Sequence, residues 1–181
     1  MSKKKKKAKG IPEKRYRKAR KIPGEPWVKV RRSSVHGRGV FAIKDIPAEK
    51  LVIEYTGRRI SAEEADEMWP VNPDDPYHTF FFSLSSGETI DGGTKGNAAK
   101  WINHSCDPNC EAREGKSGNR VYIYSLKDIK KGEELFFDYG LVIDDELSDE
   151  LKESYLCLCG SKNCRGTMLN LASFETEKEE D

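Results

Sequence analysis

The chain has 181 residues, of which 36% are hydrophobic and 35% are charged, so it suits one modest domain with polar tails. No apolar run approaches the roughly 18 residues that span a bilayer, and the basic N-terminus lacks the apolar core of a secretory signal. We therefore expect an intracellular protein without a membrane span.

The net charge of +1 conceals an asymmetry along the chain. Residues 1–32 carry 15 Lys and Arg against Glu13 and Glu25, a net of +13, so the rest of the chain carries −12. Residues 1–24 are predicted to be a disordered basic arm. Such an arm is either a solubilising tail or a contact for nucleic acid or another polyanion. The acidic body favours a basic peptide as partner.

Short β-segments separated by turns follow the arm in chain order. We expect strands at 27–31, 40–43, 51–55, 79–84, 88–91, 120–125 and 134–138, with a tight turn at 37–39. Ser61 and Glu64 form a capping box for a helix that ends before Pro70. Asn97 and Ser148 are predicted to cap two further short helices. The pattern indicates a mostly β fold with short helices.

Five cysteines without a secretory signal disfavour a disulfide framework. Cys157, Cys159 and Cys164 are spaced C-x-C-x4-C, which suits three thiolate ligands of one tetrahedral Zn²⁺. A structural site needs a fourth ligand, and either Cys106 or Cys110 supplies it. The alternative is a set of reduced thiols without a metal.

Three other stretches carry chemistry, although each has an ordinary explanation when it is taken alone. His36–Gly39 places two glycines around an arginine, which suits a backbone close to a ligand or a simple turn. Asn103 and His104 could serve only a turn. The aromatic residues near Asp138 could be a buried strand end or the wall of a narrow apolar tube for an alkylammonium group.

The order of these motifs is more specific than any one of them. The segments HGRGVFA, EYTG, GNAAKWINHSCDPNC, KKGEELFFDYG and CLCGSKNCRG follow one another in the chain. In this order they resemble the SET-domain protein lysine methyltransferases, with a post-SET zinc segment at the end and no cysteine-rich pre-SET segment before it. The resemblance implies small curved β-sheets with a C-terminal pseudoknot. It also implies a SET domain at 25–141, a linker helix and post-SET segment at 142–169, and an acidic tail at 170–181.

The resemblance also assigns residues to sites. It implies that S-adenosyl-L-methionine (AdoMet) contacts Gly37, Arg38, Gly39, Phe80, Asn103, His104, Tyr139 and Leu158. It implies a catalytic group of Tyr139, Tyr55 and Phe137, and a lysine channel lined by Tyr55, Phe82 and Phe137. It implies a structural zinc site of Cys106, Cys157, Cys159 and Cys164.

The implied reaction is transfer of the AdoMet methyl group to the ε-amine of lysine in a histone tail or another basic protein. Phe137 cannot hold a water beside the amine, so we expect di- or trimethylation. The enzyme is expected to be a monomer in the nucleus on chromatin or in a bacterial cytoplasm. Two other classes stay open: an inactive SET-like peptide-binding module, and a polyanion-binding protein that acts through its basic arm.

Overall fold

The structure is a computed structural model, which describes residues 26–68 and 79–174. The predicted basic arm and residues 175–181 of the predicted acidic tail lie outside these ranges. Within them, short strands dominate, as predicted. The strands are β1 Val28–Arg32, β2 Arg38–Ala42, β3 Leu51–Tyr55, β4 Arg58–Ser61, β5 Phe81–Ser83, β6 Glu88–Asp91, β7 Asn103–His104, β8 Cys110–Glu114, β9 Val121–Ser125 and β10 Glu134–Phe137.

Two α-helices, α1 Ala62–Met68 and α2 Asp149–Ser154, begin where the sequence predicts them. The Glu64 amide donates to the Ser61 hydroxyl at 3.1 Å, and the Leu151 amide donates to the Ser148 hydroxyl at 3.0 Å. These side chains satisfy amides that have no partner within a first helical turn. The helix predicted after Asn97 is a 3-10 turn, Ala98–Trp101. Neither α-helix in the described ranges has the length and apolar character needed to cross a bilayer.

The chain divides into two compact units. The described part of the smaller unit comprises residues 54–68, 79–100 and 114–121, and it contains a three-stranded antiparallel sheet in the order β4–β6–β5. Its core is apolar, because Ile60, Ile90 and Ala99 are fully buried.

The larger unit comprises residues 26–53, 101–113 and 122–174, and it holds a four-stranded sheet in the order β1–β2–β10–β7. Strand β7 pairs in parallel with β10, so that Phe136 faces Asn103 and Phe137 faces His104. A further sheet, in the order β3–β9–β8, has most of its residues in this unit. The mostly β fold is thus confirmed, whereas the C-terminal pseudoknot and the four domain boundaries stay predictions.

Strands β4, β7 and β8 were not predicted, and the predicted turn at 37–39 is partly wrong, because β2 already begins at Arg38. Strand β7 has only two residues, and its polar sequence Asn103–His104 carries no β-pattern. It forms because its neighbour β10 offers backbone partners, which is a long-range effect.

Candidate active site and metal centre

Four cysteine thiols meet in the larger unit. The sulfur atoms of Cys106, Cys157, Cys159 and Cys164 all lie within 4.8 Å of one another. Cys106 lies just after β7, and the other three follow α2 in a loop that begins when the helix ends. The sequence left Cys110 open as the fourth ligand, but Cys110 is fully buried on β8 and is not in this cluster.

The cluster fits Zn²⁺. Ligands at a Zn–S distance of about 2.3 Å in a tetrahedron place sulfurs about 3.8 Å apart, and the Cys106 and Cys157 sulfurs are 3.7 Å apart. All five cysteines are free, so no disulfide accounts for the approach. Burial raises the pKa of the Cys157 thiol. A bound cation would stabilise its thiolate and release the protons.

His104 lies between this cluster and Tyr139. Its Nδ1 accepts the Tyr139 backbone N–H at 3.1 Å, and its Nε2 lies 3.4 Å from the Cys106 sulfur. Burial lowers the pKa of His104 to about 4, so the ring is neutral. A neutral ring that accepts at Nδ1 carries its proton on Nε2. That proton faces the Cys106 sulfur, and the ring therefore joins a predicted metal ligand to the backbone of Tyr139.

The Tyr139 side chain is also held. Its hydroxyl donates to the Ile102 carbonyl at 2.8 Å, and its ring packs against the Phe137 ring at a centroid distance of 5.0 Å. Burial raises the pKa of Tyr139 well above its ordinary value, so the hydroxyl is protonated at neutral pH. The hydroxyl oxygen keeps acceptor capacity while its proton is engaged.

The Asn103 side chain forms hydrogen bonds to the backbone of the His36–Gly39 segment. Its amide nitrogen donates to the carbonyls of His36 and Arg38 at 3.2 and 2.9 Å, and to the Glu134 carboxylate at 3.0 Å. Gly37 adopts a φ of +44°, and a Cβ on Gly39 would collide with the Glu134 carboxylate. Gly37 thus suits its positive φ, and a side chain at position 39 would displace the Glu134 carboxylate from its bonds with Ser33 and Asn103.

In the smaller unit, Tyr55, Phe80 and Phe82 form an aromatic group. The Tyr55 hydroxyl donates to the Phe80 carbonyl at 2.8 Å, and the Tyr55 and Phe82 ring centroids are 5.4 Å apart. Tyr55 is buried, whereas Phe80 and Phe82 are half-buried. The hydrogen bond fixes the orientation of the Tyr55 ring.

One feature of the site was not predicted. Arg165 forms two parallel bonds to the Asp138 carboxylate, at 2.6 and 2.7 Å, and its remaining donors reach the Leu169 and Met168 carbonyls at 2.9 and 3.3 Å. Asp138 precedes Tyr139, and Arg165 follows Cys164. The pair therefore joins the cysteine segment to the tyrosine turn. The two residues are 27 positions apart in the sequence, so no local sequence pattern predicts their pairing.

The structure distributes the predicted site residues between the two units. Tyr55, Phe80 and Phe82 belong to the smaller unit. The larger unit holds all four cysteines of the cluster and the other predicted residues, namely Gly37, Arg38, Gly39, Asn103, His104, Phe137, Tyr139 and Leu158. Seven of the eight residues predicted to contact AdoMet thus belong to one compact unit.

Comparisons with known proteins identify the family to which the chain is related. The family model described as SET domain matches residues 37–140, which is more than half of the chain. The chain is similar to histone-lysine N-methyltransferase set-2 of Caenorhabditis elegans, with 38% identity over 77% of this chain and 9% of that protein. It is also similar to the H3 lysine-4 specific histone-lysine N-methyltransferase of Saccharomyces cerevisiae, with 39% identity over 75% of this chain and 12% of that protein.

A solved structure is similar as well: ctPRC2 in an autoinhibited conformation bound to S-adenosylmethionine. The TM-score is 0.59 and the sequence identity 33%, over 65% of this chain and 15% of that chain. The chain thus spans only a small part of the length of these relatives. The match across residues 37–140 nevertheless includes Tyr139, Asn103 and the glycine segment, and on this match the chain belongs to the SET-domain family.

Proposed function

We propose that this chain transfers a methyl group from AdoMet to the ε-amine of a lysine in a protein substrate. The observation that carries the proposal is the fixed position of Tyr139, whose amide bonds to His104 and whose hydroxyl bonds to Ile102. The similarity to proteins named as histone-lysine methyltransferases supports the reaction class.

The larger unit offers a fitting place for AdoMet. The Asn103 amide nitrogen holds the carbonyls of His36 and Arg38, so the backbone N–H groups of this segment are kept in one orientation. Leu158 leaves 53% of its surface exposed, which is an apolar face available to an adenine ring. When bound, AdoMet supplies a methyl group on a positively charged sulfur. We propose that Asn103 and His104 act mainly by positioning, since their polar side-chain nitrogens are already engaged.

The chain's own residues then have to orient a neutral amine. A lysine with a pKa of about 10.4 is neutral in roughly one molecule in 2,500 at pH 7. Tyr139 is protonated at this pH and does not act as a tyrosinate base. Its oxygen can accept an amine N–H or a weak C–H···O contact while its own O–H donates to the Ile102 carbonyl. Alignment, rather than strong base catalysis, is therefore its proposed role.

Aromatic residues would provide the lysine channel. Tyr55 and Phe82 pack on each other in one unit, and Phe137 packs on Tyr139 in the other. Ring faces attract an alkylammonium group, and a dry site disfavours its charged form. On the family membership alone, we keep Tyr55, Phe82 and Phe137 as the proposed channel and Tyr139, Tyr55 and Phe137 as the proposed catalytic group.

The extent of methylation follows from Phe137 in this proposal. A phenyl ring has no hydroxyl to hold a water molecule near the amine. A methylated amine can then turn and react again, so the product is di- or trimethyl-lysine. The buried position of Phe137 beside Tyr139 supports this role.

The substrate class follows from charge and from the relatives. Residues 51–181 contain 14 Lys and Arg against 27 Asp and Glu, a net of −13, which favours a basic peptide. The relatives are named for histone lysines. We propose a histone tail or a similar basic protein as substrate, and chromatin as the site of action.

The proposal is tested with methyl-labelled AdoMet and three acceptors, namely core histones, a cell lysate and the chain alone. Transfer of label to histone lysine is expected, and Tyr139→Phe is expected to lose most of the rate while it keeps its circular dichroism spectrum. Calorimetric AdoMet binding without transfer to any acceptor would indicate an inactive peptide-binding module instead. An unimpaired Tyr139→Phe rate would remove Tyr139 from its proposed role.

A further inference from the structure

A row of basic and aromatic side chains lies on the outer face of strands β1 and β2. Side chains alternate along a strand, so Trp27, Lys29 and Arg31 share one face. The Ile43 amide donates to the Trp27 carbonyl at 2.9 Å, which extends the β1–β2 ladder to Trp27. Lys29 lies opposite Phe41 in the register. Val30 and Val40 occupy the opposite face, and Val40 is fully buried.

Cations lie over both aromatic rings of this row. The Lys44 and Lys50 ammonium groups are 4.2 and 5.1 Å from the Trp27 ring centroid. The Arg31 guanidinium carbon is 5.7 Å from the Phe41 centroid. We define the β1 basic face by its residues Trp27, Lys29, Arg31, Phe41, Lys44 and Lys50.

The acidic side chains near this face are already engaged. Glu134 pairs with Phe41 in the register, but its carboxylate accepts bonds from Ser33 and Asn103. The Asp45 carboxylate accepts the Lys131 amide and pairs with Lys130. Lys29 and Arg31 are both exposed, and the Glu134 carboxylate contributes one opposing charge on the same side of the sheet.

Charge is distributed unevenly along the chain. Residues 1–50 contain 18 Lys and Arg against 4 Asp and Glu, a net of +14, whereas residues 51–181 have a net of −13. In the sequence, the residues of the β1 basic face follow the basic stretch 1–25. A polyanion would be attracted to this end of the chain and repelled by the acidic remainder.

We propose that the β1 basic face binds single-stranded nucleic acid. Alternate residues on a strand are about 7 Å apart, so Lys29 and Arg31 offer two separate phosphate contacts in line. Exposed cations beside aromatic rings form the combination that binds single strands, in which bases stack and phosphates pair. Paired bases in a duplex cannot stack on Trp27 or Phe41. This site is separate from the proposed lysine channel and uses none of its residues.

The test measures the fluorescence anisotropy of labelled oligo(rU) with the full chain across a series of KCl concentrations. The double variant Lys29→Glu, Arg31→Glu is expected to lose about tenfold or more in affinity. The slope of log K against log salt should fall by about 1.4, because each lost single-strand phosphate contact removes about 0.7. Trp27→Ala should lose about tenfold with little change in slope, because a stacked base carries no charge.

The matched control is Lys116→Glu, Lys127→Glu, which makes the same charge change on two exposed lysines that are not part of the β1 basic face and should leave affinity within about twofold. Circular dichroism of each variant checks the fold, and Lys44→Gln gives a second probe that leaves β1 unchanged. Equal losses for the two double variants would show attraction by net charge alone and overturn the proposal. Tighter binding to a duplex of oligo(rU) with oligo(rA), or equal binding to phosphatidylserine vesicles, would also overturn it. Lysine methylation by the Lys29→Glu, Arg31→Glu variant should stay at the wild-type rate, so failure of either proposal is visible separately.

Discussion

Replacing Arg165 by alanine is expected to loosen the cysteine segment from the Tyr139 turn. The change removes a two-bond ion pair with Asp138 and two bonds to the carbonyls of Met168 and Leu169. The Arg165 side chain is 24% exposed and that of Asp138 is 39% exposed, so solvent screens part of the ion pair. We assign about 1 kcal/mol to the pair, near the upper end for exposed pairs. The two carbonyl bonds add about 0.5–1.5 kcal/mol each.

The expected loss is therefore about 2–4 kcal/mol in the free energy of unfolding, measured by urea titration of the zinc-loaded protein. A double-mutant cycle with Asp138→Asn isolates the ion pair and should give a coupling energy of about 1 kcal/mol. Lys130→Ala is the control, because Lys130 pairs with Asp45 while both side chains are more than 60% exposed. It should cost less than about 0.5 kcal/mol.

A structural role alone would lower stability and leave zinc retention unchanged. If Arg165 joins the two segments, Arg165→Ala should also release zinc faster to a chromogenic chelator. A coupling energy within about 0.3 kcal/mol of zero, together with wild-type zinc release, would refute this reasoning.

Three further predictions concern single residues. Phe137→Tyr should shift the lysine product toward monomethyl-lysine in mass spectra of a peptide substrate, and a wild-type product that is only monomethylated would contradict the argument. Gly39→Ala should lower the free energy of unfolding by about 1–3 kcal/mol, because a Cβ there meets the Glu134 carboxylate. Gly37→Ala should lower it by about 1 kcal/mol, because of the positive φ alone. Equal urea midpoints for the two variants would disprove this difference. Burial raises the pKa of Cys110 to about 12, so after zinc removal iodoacetamide should label the half-buried thiols Cys106, Cys159 and Cys164 and should label Cys110 only in denaturant. Labelling of Cys110 in the folded protein would show that it is accessible.

Much of the local structure was predictable, because local signals carry it. The capping residues Ser61 and Ser148 place the starts of α1 and α2, and β3 and β6 have the predicted bounds. The spacing of Cys157, Cys159 and Cys164 predicted three ligands of one metal site. Each of these features depends on residues within a few positions of one another.

The sequence by itself thus determined the mostly β character, the helix starts and the cysteine triplet of this chain. The tertiary structure decided that Cys106 joins the triplet while Cys110 is buried on β8. It also decided that Asn103 and His104 form a strand beside β10, and that Arg165 pairs with Asp138. These contacts join segments far apart in the chain, and their geometry depends on how the sheets bring the segments together. Local propensity and spacing contain no information about that arrangement.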